Sequence, residues 1–211
     1  MSGLSYLIAV KTDDFVVLAA DRVLFAHGAL VISREHDKVF DVGSKTKMLC
    51  AGEEGDVKQF GEFVVKNCSL YKFRNVVNSP PPISGYELTP ASTAHWVCKQ
   101  MSEGLRSQDA YMVESLIGGY DDYEQKAYVA SVDVYGALND TSPYYFRGFG
   151  GRFSYALMDD IYRKDMTVEE TVEAVRSCLK VVDKRFVAKL PSFQVLLIDK
   201  DGTRKLPDIQ L

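Results

Sequence analysis

Two nearly continuous apolar runs open the chain, Tyr6 to Val10 and Phe15 to Ala20, split by the polar stretch Lys11-Thr12-Asp13-Asp14. A strand with one wet face alternates apolar and polar residues, so unbroken runs predict a hairpin covered on both faces. Leu30 to Ser33, Asp37 to Val42 and Thr46 to Ala51 read as further strands, the last two joined at Gly43-Ser44-Lys45. The period then changes. Val57, Phe60, Val64, Cys68 and Tyr71 recur at steps of three and four, which predicts one apolar stripe on a long helix. A second helix follows "NSPPPISG", a proline-rich connector that continues neither helix. Thr89 is its expected cap, Pro90 suits the first turn, and Ala91, Ala94, Val97, Met101 and Leu105 are its expected buried face.

Strand patterning returns over Tyr111 to Gly119 and Lys126 to Asp133. Beyond the glycine cluster "YYFRGFGGRF", a third helix carries Tyr155, Leu157, Met158 and Ile161. A fourth opens on Thr167-Val168-Glu169-Glu170, the pattern of a capping box, and a last hairpin, "SFQVLLIDKDGTRKL", turns at Asp201-Gly202. The order is sheet, two helices, sheet, two helices, closing strands. It predicts an α+β fold, a four-layer αββα sandwich with two stacked antiparallel sheets between helical layers.

With 211 residues, the expectation is one domain spanning residues 1–211. The 46% hydrophobic and 26% charged content places the chain among globular proteins, and a net charge of −4 gives no basic footprint for nucleic acid or an anionic membrane. Proteins are the expected partners. Cys50, Cys68, Cys98 and Cys178 are dispersed without a CxxC pair, so they read as small core residues in a reducing compartment. His27, His36 and His95 show no ligand spacing, and Gly148, Gly150 and Gly151 lack the lysine and hydroxyl of a phosphate loop, so they read as turn glycines. A hairpin such as the first can carry a nucleophile at its tip or simply begin a sheet, which puts Ser5 in question.

"VVLAADR", "HDKVF", "CAGEEGDVKQF" and "GYELTP", in that order and spacing, resemble the beta-type subunits of the 20S proteasome over nearly the whole chain. Within that family, "YLIAV", "LYKFRN", "GYD", "KRF" and the late "LP-x-F" are most similar to the non-catalytic members at the fourth position of the beta ring. The segment from Val76 to Ser84 resembles an insertion relative to other members. The resemblance implies the N-terminal nucleophile hydrolase fold, which is the sandwich read above, and a role in ubiquitin-dependent protein degradation in cytoplasm and nucleus. It implies no cofactor and no metal.

Active members of this family use an N-terminal threonine whose own α-amine is the base, with a lysine keeping the local field positive. By resemblance, Ser5 falls at the threonine position, Asp21 at the strand aspartate and Lys38 at the active-site lysine. The rest argues against activity. Leu4 stands where active members are cut after glycine, in a leader of four residues that resembles an unprocessed start. Phe149 falls where a glycine-rich segment carries a serine, and the downstream aspartate and serine fall near Phe186 and Lys189, with Asp183 as the rival for the aspartate.

Ser5, Asp21 and Lys38 are therefore expected to be a vestigial site without catalysis, Asp21 and Lys38 forming a structural ion pair. The alternatives are an active N-terminal serine hydrolase using Ser5 after processing, and a free-standing binding protein on the same fold. The implied partners are other beta subunits, alpha-ring subunits and the opposite beta ring, with a chymotrypsin-like neighbour. Leu24, Phe25 and Gly28 are the expected lining of a pocket shared with that neighbour. Tyr71, Phe73 and Tyr86 are the expected aromatic interface anchors.

Overall fold

The computed structural model describes residues 4–26, 30–77, 86–108 and 110–211. The chain runs β1 (Leu7–Lys11), β2 (Phe15–Asp21), β3 (Leu24–Ala26), β4 (Leu30–Ser33), β5 (Val39–Gly43), β6 (Thr46–Gly52), α1 (Glu54–Val77), α2 (Pro90–Leu105), β7 (Val113–Asp121) and β8 (Lys126–Val132). It continues with β9 (Leu138–Asn139), β10 (Tyr144–Arg147), a 3₁₀ turn over Phe149–Phe153, α3 (Tyr155–Ile161), α4 (Val168–Arg185), β11 (Ser192–Asp199) and β12 (Gly202–Gln210). One antiparallel sheet has the order β10-β1-β2-β11-β12 and the other β5-β6-β7-β8-β9, with β3 and β4 as a separate small hairpin.

Alternation along β1 explains why its sequence looks uniformly apolar. Leu7 and Ala9 face the second sheet, where they meet Leu49, Leu116 and Val129 in the central core. Tyr6, Ile8 and Val10 face the other way, into a core shared with Val175, Leu179 and Val182 of α4. Successive strand residues point to opposite sides, so covering both sides demands apolar residues at every position. The second sheet repeats the arrangement: Met48, Cys50 and Ile117 lie beneath Phe60 and Val64 of α1 and Ala94 and Val97 of α2. These layers are the predicted αββα sandwich.

Local signals placed the ends well. Thr89 caps α2 by accepting from the Ser92 N–H at 3.1 Å, with Pro90 in the first turn. At α4 both halves of the capping box are made: Glu170 N–H donates to Thr167 Oγ1 at 3.2 Å and Thr167 N–H to Glu170 Oε2 at 2.9 Å. Thr167→Ala removes one of these bonds and leaves a helix donor unpaired. It is expected to cost about 1 kcal/mol, read as a lower urea midpoint of the full chain at unchanged slope.

Three expectations need correction. The α1 stripe ends at Cys68, because residues 69–75 are exposed or half-buried and Tyr71 lies outside the core. On α2, Ala94, Val97 and Met101 are buried as expected, whereas Ala91 is half-buried and Leu105 is exposed at the helix end. "YYFR" within the glycine cluster is strand β10, and its pairing with β1 places the glycines immediately beyond a sheet edge. Aromatic residues favour strands, but four residues bounded by turns carry too little period to reveal one. Most of the proline-rich segment, including Pro80 to Ser84, lies outside the described residues.

Candidate functional site

Asp21 is the last residue of β2, and its carboxylate is fully buried. It accepts the Tyr6 N–H at 2.7 Å, the Val23 N–H at 3.1 Å and Lys38 Nζ at 2.6 Å. Lys38 is only 4% exposed and also donates to the Val23 carbonyl at 2.9 Å. Its own carbonyl accepts the Cys50 N–H of β6 at 3.1 Å, which fixes the lysine ahead of β5. A buried carboxylate is tolerable when its charge is neutralised and its oxygens are bonded, and both conditions hold here. The pair ties the start of β1, the end of β2 and the approach to β5 into one unit.

Ser5 precedes this unit. Leu4, immediately before it, packs against the core cluster that contains Val175, Leu179 and Val182 of α4. Gly148 lies against the Ser5 carbonyl so closely that an added Cβ would come within 1.8 Å of that oxygen. The segment after Gly148 therefore stands beside Ser5, and it presents rings: Phe149 stacks on Phe186 at 5.8 Å with 22° between planes, and Phe153 meets Phe149 at 6.3 Å. Asp183 is engaged by Lys189, whose Nζ lies 2.8 Å from Oδ1.

On the core side of the same segment stands an arrangement that sequence reasoning missed. The Tyr6 hydroxyl is hydrogen-bonded to Ser154 Oγ, both residues being fully buried, and the Tyr6 ring meets Phe193 edge-on at 6.0 Å. Burial raises the Tyr6 pKa well above that of an ordinary phenol, with the Ser154 bond opposing that rise. The neutral phenol is a structural peg under the Ser5 segment. Its two members are separated by 148 positions, so no local pattern could have joined them.

Phe25 lies on β3, half-buried against the core, and opens onto a pocket of 410 Å³. Leu4, Val23, Val31, Val187 and Pro191 form its other apolar walls, with Arg34 and Lys189 also in the lining. Leu24 is not part of this wall and instead pairs with Ser33 across the small hairpin, while Gly28 lies outside the described residues. Elsewhere His36 Nε2 sits 3.2 Å from Glu54 Oε1, and His95 Nδ1 lies 2.9 Å from the Ala91 carbonyl; His27 is outside the described residues.

Residues 5–198 match the family model described as a proteasome subunit. The chain belongs to the proteasome subunit family. The match takes in Ser5, Asp21, Lys38, Phe149 and Phe186, and this proteasome subunit accordingly has the N-terminal nucleophile hydrolase fold. It is 46% identical to the proteasome subunit beta type-2 of Caenorhabditis elegans, covering 97% of this chain and 98% of that protein. It is 31% identical to the proteasome subunit beta type-4 of Saccharomyces cerevisiae, again over 97% and 98% of the two chains. With the proteasome subunit beta type-2-A of Arabidopsis thaliana it shares 37% identity over 91% of this chain and 88% of that protein. A proteasome subunit works in assembly with others, and of the expected aromatic anchors Phe73 is 64%, Tyr86 53% and Tyr71 43% exposed.

Proposed function

We propose that this chain is a non-catalytic beta-type subunit of the 20S core, a wall of the beta ring that positions active neighbours and encloses the proteolytic chamber. The observation that carries the proposal is that Phe149, next in the chain to the glycine packed on the Ser5 carbonyl, stacks on Phe186, two positions where the resemblance calls for polar groups. Those rings supply neither a proton nor a hydrogen bond to a reacting hydroxyl. Asp21 and Lys38 complete each other and the backbone around them, which is a structural occupation.

In this reading the partners are adjacent beta subunits, an alpha-ring subunit and the opposite beta ring, in cytoplasm and nucleus. The pocket at Phe25 lies beside a neighbour with chymotrypsin-like activity and is shared with it. Ser5→Ala in the assembled particle is expected to leave every peptidase activity unchanged, measured with substrates for each specificity. Selective loss of one activity at normal particle yield would overturn the proposal. So would an intact mass showing that Ser5 is the first residue of the assembled chain, together with covalent labelling of its hydroxyl by a nucleophile-directed inhibitor.

A further inference from the structure

The Phe25 pocket carries a charge that nothing among the described residues neutralises. Its walls are apolar, from Leu4, Val23, Phe25, Val31, Val187 and Pro191. Of its two cations, Lys189 is matched by Asp183 at 2.8 Å. Arg34 is exposed at the pocket and, among the described residues, has neither an acidic partner nor a hydrogen bond. The volume of 410 Å³ admits a large side chain with the backbone next to it. A guanidinium presents a planar fork of donors that fits a carboxylate with two parallel bonds.

We propose that this pocket holds the C-terminal end of a peptide, its last side chain apolar and buried against Phe25 and Val31, its free α-carboxylate on Arg34. The inference rests on the reading of this chain as a wall that does not hydrolyse, because a bound peptide end then meets no nucleophile. An apolar C-terminal residue with a new carboxylate is what cleavage after an apolar residue releases, so the expected occupant is a product peptide and not an intact substrate. The neutralised Lys189–Asp183 pair contributes no net charge, which leaves Arg34 as the group that distinguishes an acid from its amide. Val187 in the lining is exposed, and its chain neighbour Phe186 stacks on half-exposed Phe149, so further apolar groups are available to the preceding peptide residues.

The test uses the assembled particle with its peptidase sites covalently blocked. A tetrapeptide ending in benzoylphenylalanine is photolysed with the particle, once as the free acid and once as the C-terminal amide, and adducts are located by peptide mass spectrometry. The acid is expected to label the segments around Phe25, Val31 or Val187 about tenfold more than the amide, the scale of one charge-assisted contact. Arg34→Met should abolish that preference, and Arg34→Lys should restore part of it. Equal labelling by acid and amide, survival of the preference in Arg34→Met, or adducts confined to other subunits would overturn the inference. Decanoate competing as well as an unlabelled tetrapeptide acid would overturn the commitment to a peptide. An adduct of the blocking reagent on Ser5 would instead overturn the non-catalytic reading, and it is read from a different peptide.

Discussion

Lys38→Met is expected to lower the unfolding free energy of the full chain by about 3–5 kcal/mol, the scale for stranding one member of a buried ion pair. The carboxylate of Asp21 would remain fully buried with two backbone N–H groups on it and no cation. Those donors offset part of the desolvation but do not cancel the charge. The Val23 carbonyl would lose its ammonium donor as well. Asp21→Asn combined with Lys38→Met removes both charges, so the double variant should be more stable than the sum of the single effects, by an interaction energy readable from a double-mutant cycle. Urea unfolding of the four chains supplies the measurement. A loss below about 1 kcal/mol in Lys38→Met, the value of an exposed pair, would show that water reaches Asp21 and that the pair does not hold the site together.

Gly148→Ala should cost as much for a different reason. Gly148 has φ 89° and ψ 168°, a region open essentially to glycine alone. The new methyl would also come 1.8 Å from the Ser5 carbonyl oxygen, an overlap of backbone with backbone that no side-chain rotation relieves. Adding about 1–3 kcal/mol for the strained backbone to about 1–3 kcal/mol for the forced displacement gives an expected loss near 4 kcal/mol. The displacement should act on both sides of the contact, loosening the start of β1 and shifting the Phe149 ring from Phe186. Hydrogen exchange at the Tyr6 and Leu7 amides should accelerate in step with the lower urea midpoint. Unchanged exchange there with reduced stability elsewhere would mean that the Ser5 segment is not set by this contact.

Much of the fold was legible because its signals are local. The capping box at Thr167 and the cap at Thr89 are bonds between residues three apart, and a sequence shows them directly. The turn before Phe15 and the tight turn after Gly43 are read the same way. The covered hairpin was legible for a related reason, since only burial on both faces tolerates its composition. Short strands escaped: β3, β9 and β10 have two to four residues each, too few to establish a period. They become strands because a partner strand is already in place. Tyr71 failed as a core residue because a periodic stripe says which face of a helix is apolar and not how far the sheet beneath it extends.

For the site, the sequence by itself determined the residue types at Ser5, Asp21, Lys38, Phe149 and Phe186. It also determined the layer order, because helix and strand periods are properties of neighbouring residues. Only the tertiary structure decided that Lys38 reaches Asp21 and the Val23 carbonyl at once, that Tyr6 is pegged to Ser154, and that Phe25 shares a pocket with Val187 and an unmatched Arg34. The physical reason is that a contact between distant residues has no energy until the intervening chain is folded. Burial, which turns an ordinary ion pair into a lock, is conferred by all the surrounding elements together, and so is the apolar pocket that an exposed Arg34 borders.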